Sequence, residues 1–156
     1  MEVVNKVDFE LQLKEAVDII VKYFDPIAIY LFGSASRNEL RKDSDIDLGF
    51  LTDYNAQIDE YDKFIKAQEL ADIFKRDVDL VHVNSASSVF KVQITYNGKL
   101  IYCSNNNKRM AFEMRTLKEY AILNEERKEI VDNIRESGTV YGLSLIHISE
   151  PTRRVV

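Results

Sequence analysis

The residues able to do chemistry in this chain of 156 residues are two small ones and a set of carboxylates. Gly33-Ser34 is followed, ten residues later, by Asp45-Ile46-Asp47. A glycine lets the backbone come close to a ligand. The serine adds a hydroxyl and an N–H of the kind that favours phosphate oxygens at a helix start. Side chains two apart on a strand share a face, so Asp45 and Asp47 project together. Two adjacent carboxylates repel, and one has its pKa raised unless a cation lies between them. A hard divalent ion suits such a pair, and Mg²⁺ commonly takes substrate phosphates as further ligands. Most D-x-D pairs are solvated turns; the Gly-Ser turn ahead of this one makes it a nucleoside triphosphate site.

Asp79, within VDLV, supplies a third carboxylate. Flanked by Val78 and Leu80, it would be a costly charge to bury without a partner, and a metal shared with Asp45 and Asp47 removes that cost. Asp77 has the same strand parity, so parity does not choose between them. Its place beside Lys75-Arg76, at the strand's entrance, marks Asp77 as the more solvated.

The elements that must position these groups follow from periodicity. Asp8 is the expected N-cap of a first helix carrying Leu13, Ala16, Val17, Ile20 and Phe24, ended by Asp25-Pro26. Residues 27–32 read as a buried strand. Ser34 to Arg37 can start a short helix, and residues 45–51 form the second strand. Phe64, Ala67, Ala71 and Phe74 mark a second helix, with Lys75-Arg76 favourable to its dipole. Residues 78–83 are a third strand. Asn84 or Ser85 can cap a short helix through Val89 and Ile94, stopped by Asn97-Gly98. Residues 100–102 form a small edge strand.

From Lys108 to about Arg135 the chain reads as one long helix, near neutral with seven basic and seven acidic residues between Lys108 and Glu136. Met110, Met114, Leu117 and Ala121 make one apolar stripe; Tyr120, Leu123, Ile130 and Ile134 make a shifted second one. Two stripes exceed what a single core face needs, so part of this surface is open either to solvent or to a partner. The expectation is a small α/β (α+β) domain, with a core over 1–104 and a C-terminal helix over 105–136 packed on the core, a partner or both.

Composition removes several classes. A net charge of −5 argues against a broad electrostatic grip on nucleic acid. With Cys103 alone there is no internal disulfide and no multi-cysteine zinc site. No apolar run approaches the roughly 20 residues that span a bilayer, and MEVVNKVDFE lacks signal-peptide character, so the cytoplasm is expected. His82, alone on a strand, reads as structural. SLIHISEPTR, Ser144 to Arg153, resembles the in-frame translation of a transposase sequencing adapter. Residues 144–156, His147 included, are therefore set aside, with the natural C-terminus expected near Gly142.

The spacing GSx10DxD, filled by Gly33, Ser34, Asp45 and Asp47, resembles the signature of the nucleotidyltransferase superfamily that includes DNA polymerase β. YLFGSASRNELRKDSDIDL, DVDLVHVNSASSVFKVQITYNGKLIY and LKEYAILNEERKEIVDNI, together covering most of residues 27–134, are similar to the minimal nucleotidyltransferase antitoxins of HEPN/MNT toxin–antitoxin pairs. The resemblance implies a nucleotidyltransferase fold, a small mixed sheet flanked by helices. It implies that Asp45 and Asp47 hold two Mg²⁺ ions, one shared with Asp79, and that Gly33, Ser34 and Arg37 contact the triphosphate of ATP. A protein hydroxyl would attack the α-phosphate with Asp79 assisting its deprotonation. The implied acceptor is a tyrosine of the partner HEPN ribonuclease, which AMP addition silences within a hetero-oligomer.

One departure stands out: Asn38 follows Arg37 where many relatives carry glycine, though asparagine tolerates left-handed geometry. A solvated loop arginine is the competing reading of Arg37. Two rival functions remain at this stage. One is an antitoxin that neutralises by binding alone. The other is a small-molecule, aminoglycoside-type nucleotidyltransferase, disfavoured because such enzymes usually add a larger helical domain.

Overall fold

The computed structural model describes residues 6–37 and 44–137. Four helices and four strands follow in the order α1 (Lys6–Phe24), β1 (Ala28–Phe32), β2 (Ile46–Leu51), α2 (Glu60–Phe74), β3 (Val78–His82), α3 (Ser88–Val92), β4 (Lys99–Cys103) and α4 (Asn106–Ser137). The sheet has the order β3-β2-β1-β4, with β2 parallel to β3 and the other pairs antiparallel. It is the mixed α/β sheet flanked by helices that the sequence leads one to expect.

Strand alternation divides the core in two. Ile29, Leu31, Ile46, Leu48, Phe50 and Leu80 meet Ala16 and Ile20 of α1 and Leu70 and Phe74 of α2. On the other face, Ala28, Tyr30 and Leu51 meet Val83 and Ile94, with Phe90 and Phe112 packed against them. Each large apolar side chain so buried stabilises the fold by about 1.5–3 kcal/mol. Asp47 and Asp79 share parity with the second face, so the chemistry lies on that side.

Helix ends match local chemistry with some corrections. Asp8 lies inside the first turn of α1, where its charge complements the dipole, and is not the N-cap. Asp25 adopts φ 48 and its N–H donates to the Val21 carbonyl at 3.0 Å, closing α1 just before Pro26. Asp59 caps α2 by accepting from the Tyr61 N–H at 2.9 Å. Phe64, expected on the core face, is 58% exposed; Leu70 takes its place above Phe74. The cap of α3 is Ser87, not Asn84 or Ser85. Asn84 is held elsewhere, exchanging hydrogen bonds with the Thr52 backbone N–H and C=O at 3.0 and 2.8 Å.

His82 is buried between Thr52 Oγ1 and Ser85 Oγ, each 2.9 Å from a ring nitrogen, and lies against Phe50. Burial first, and the Lys63 charge second, lower its pKa. This is a structural histidine, as the sequence reading has it.

At roughly 48 Å, α4 is far longer than the sheet needs. It joins the core through Phe112, buried Thr116 and a polar knot. Tyr30, central in the sheet, donates its hydroxyl to Glu113 at 2.7 Å, and Arg109 pairs with the same carboxylate at 2.9 Å. Burial, then that hydrogen bond, raise the tyrosine pKa. Tyr30→Phe removes a bond to a charged acceptor and should lower unfolding free energy by about 1–2 kcal/mol in urea titration. Met110, Met114 and Leu117 face outward, Met114 at 68% exposure. The first apolar stripe is therefore largely open within the described part of the chain. Among the described residues no helix is long and apolar enough to cross a membrane. The tail 144–156 lies outside the described residues.

Candidate active site

β1 and β2 run antiparallel, with Phe32 opposite Asp47, so the turn leaving β1 lies against the start of β2. Gly33 makes that turn at φ +73, a region that side-chain-bearing residues avoid. A Cβ built there would collide with the Asp47 carboxylate. Both facts require glycine. The chain continues as a tight 3₁₀ turn over Gly33–Arg37, secured by the Ser36 hydroxyl donating to the Gly33 carbonyl at 2.8 Å. This turn is the short helical start read at Ser34 to Arg37.

The parallel register sets Asp79 directly beside Asp47. Of the two residues parity left open, Asp79 is the one that stands beside Asp47 and lines the cleft, while Asp77 stands two residues earlier and its carbonyl accepts from the Ile46 N–H at 3.0 Å. Arg76 ties the two strand entrances together through the Ser44 carbonyl at 3.0 Å. Asp79 is exposed, not buried as its apolar neighbours imply, because the row lies at the open end of the sheet. The cost assigned to burying it therefore does not arise.

The carboxylate under stress is Asp47. Partial burial, then Asp79, then Asp45 push its pKa up to about 6. A site that makes a carboxylate this reluctant to ionise is short of positive charge, and a hard cation fits it. Among the described residues no three acidic, histidine or cysteine side chains converge closely enough to cage a metal unaided. A cation here would complete its shell with water or with the phosphates of a substrate, which is how Mg²⁺ is usually held.

A cleft of about 590 Å³ opens over these groups, lined by Phe32, Gly33, Ser36, Asp47, Asp79, Phe90, Gln93 and Asn97. Its volume lies in the range of small-ligand pockets. Of the residues singled out from sequence, Gly33, Asp47 and Asp79 line it. Ser34, half-buried in the turn, and exposed Asp45 stand beside it. The backbone of Arg37 ends the turn, while its side chain and Asn38 lie outside the described residues. Five lining residues were not read as site residues from the sequence, Phe32 among them, which registered only as the end of a strand. Ser36 had a signal, lying in the same small polar turn. Asn97 registered only as a helix stop, and nothing in the spacing of Phe90 and Gln93 pointed to a cleft.

A strand–glycine turn–strand unit with Asp47 paired to Asp79 is the arrangement that the resemblance to nucleotidyltransferases implies. Residues 14–107 match the polymerase β nucleotidyltransferase family, and the chain belongs to it. It is 35% identical over 106 residues to the protein adenylyltransferase MntA of Shewanella oneidensis, an alignment covering 68% of this chain and 74% of that one. Its fold matches a chain in the crystal structure of a toxin–antitoxin with AMP-PNP at TM-score 0.66 and 31% identity, over 78% of this chain and 98% of that one. It also matches a chain in the complex of tri-AMPylated Shewanella oneidensis HEPN toxin with MNT antitoxin, at TM-score 0.60 and 31% identity, over 80% and 98% of the two chains.

Proposed function

We propose that this chain is the antitoxin of a HEPN/MNT pair and acts as a cytoplasmic protein adenylyltransferase. It moves AMP from ATP to a tyrosine of its cognate HEPN toxin, silencing it. The observation that carries this reading is the register of Asp47 beside Asp79 under the Gly33 turn, in a chain 35% identical to a protein adenylyltransferase. The intact acidic row disfavours an antitoxin that works by binding alone.

Asp45, Asp47 and Asp79 would hold Mg²⁺, which when bound neutralises phosphate charge and stabilises the attacking and leaving oxygens. The Gly33 turn brings backbone close to the β- and γ-phosphates, with Ser34 and Arg37 as further contacts. The tyrosine oxygen bonds to the α-phosphorus as the bond to the bridging oxygen breaks, and pyrophosphate leaves. Asp79 takes the hydroxyl proton. Its exposure suits that task, since a folded protein must bring its tyrosine to the cleft mouth. The outward stripe of Met110, Met114 and Leu117 is assigned to the toxin, forming the hetero-oligomer; Met114→Asp should weaken complex formation at least about tenfold by titration calorimetry.

Co-expression with the toxin tests the catalytic reading. Asp45→Asn/Asp47→Asn protein, produced at wild-type level, should fail to restore growth. Full neutralisation by that variant would replace this reading with neutralisation by binding.

A further inference from the structure

A second cavity, of about 270 Å³, lies at the other end of the sheet from the acidic row. It opens beside Thr52, just past the end of β2 and five residues beyond Asp47, so roughly 16 Å of strand separates it from the chemistry. Ile27, Leu51 and Phe112 give it an apolar floor, and the first turns of α4 form one side. Its volume falls below the roughly 300–1,000 Å³ usual for small-molecule pockets. A cavity this small suits a single anchor side chain, the kind of insertion on which protein interfaces depend.

The polar groups around it are settled, with one exception. Both ends of the Asn84 amide are taken by the Thr52 backbone, at 3.0 and 2.8 Å. Lys108 donates to Asp53 at 2.8 Å, so those two charges offset each other. Arg115 also lines the cavity; it is exposed and has no ion-pair partner among the described residues. Tyr54 completes the lip at 92% exposure. Arginine and tyrosine are the residue types in which interface energy concentrates. An apolar floor under a lone guanidinium fits an apolar side chain with a carboxylate next to it. A free phosphate would meet one unpaired cation and an apolar floor, a poor match.

The cavity is continuous with the outward stripe of α4. Ala111 lines it and is a neighbour, one helical turn away, of both Met114 and Arg115. Ala111 is small and exposed, so a partner lying on Met110, Met114 and Leu117 can cross the helix there and reach the cavity.

We propose that this cavity is a second anchor point for the HEPN toxin, receiving an apolar toxin side chain whose adjacent carboxylate pairs with Arg115. This rests on the reading of the α4 stripe as the toxin's surface and extends that surface round the helix. Because the anchor lies at the far end of the sheet, it holds the toxin without covering the cleft. Docking and AMP transfer are then served by opposite ends of one sheet.

Titration of the full chain with its cognate toxin tests this. Arg115→Glu reverses the lone charge, and Ala111→Trp blocks the mouth of the cavity; each should weaken toxin binding roughly tenfold. Both should leave affinity for a non-hydrolysable ATP analogue with Mg²⁺ within about twofold. Unchanged toxin affinity in either variant, where Met114→Asp weakens it, overturns the anchor and leaves the stripe standing. Should all three variants bind toxin like wild type, the toxin docks elsewhere and both readings fall. A parallel loss of analogue affinity also overturns the anchor, since the substitutions would then act through the fold.

Discussion

Asp47→Asn will lower AMP transfer by at least about a thousandfold, the scale of several kcal/mol of lost transition-state stabilisation, yet leave the metal-free fold no less stable. The two effects diverge because Asp47 is stressed in the folded state. Its carboxyl titrates near 6, pushed there by partial burial and by Asp79 and Asp45. A folded pKa above the unfolded value means that the native state binds the extra proton. The contribution is present below about pH 4 and is lost as pH rises through 6. Metal-free wild type should therefore lose stability between pH 4 and 6, and Asp47→Asn should lack that component. Added Mg²⁺ should flatten it in wild type. Thermal melts across this window, with and without Mg²⁺, read all three. A variant that melts well below wild type at pH 7 would show that Asp47 is a structural anchor.

Gly33→Ala is the second large effect, and it acts through the fold first. The residue must hold φ +73, costing about 1–2 kcal/mol for a side-chain-bearing residue, and its new Cβ meets the Asp47 carboxylate, costing about 1–3 kcal/mol more. Unfolding free energy should fall by about 2–5 kcal/mol in urea, with transfer activity lost because the collision displaces Asp47. The cause can be separated. In an Asp47→Ala background the steric part disappears, and Gly33→Ala should then cost only about 1–2 kcal/mol. An equal penalty in both backgrounds would mean that the carboxylate contact plays no part.

Much of this arrangement is legible in the sequence because it rests on local rules. Alternation places Asp45 and Asp47 on one face, and β-branched and aromatic runs mark the strands that carry them. Register is different: that Asp79 rather than Asp77 stands beside Asp47 depends on pairing across residues far apart in the chain. The exposure of Asp79 likewise follows from where the sheet ends, which its neighbours Val78 and Leu80 do not reveal. Phe64 shows the same limit, since two faces of α2 satisfy helical spacing and packing against α1 and the sheet selects Leu70. Gln93 and Asn97 were not legible as cleft residues because they sit on a π turn, which has no sequence signature as plain as a cap or a glycine.

The central claim is that the row of Asp45, Asp47 and Asp79 transfers AMP to a protein. The direct measurement is the intact mass of the cognate toxin after incubation with ATP, Mg²⁺ and this chain. The account predicts toxin heavier by one or more AMP units, mapping to tyrosine, and no change with Asp45→Asn/Asp47→Asn protein. Unmodified toxin that is nonetheless neutralised, or the same mass gain from the double variant, would contradict it.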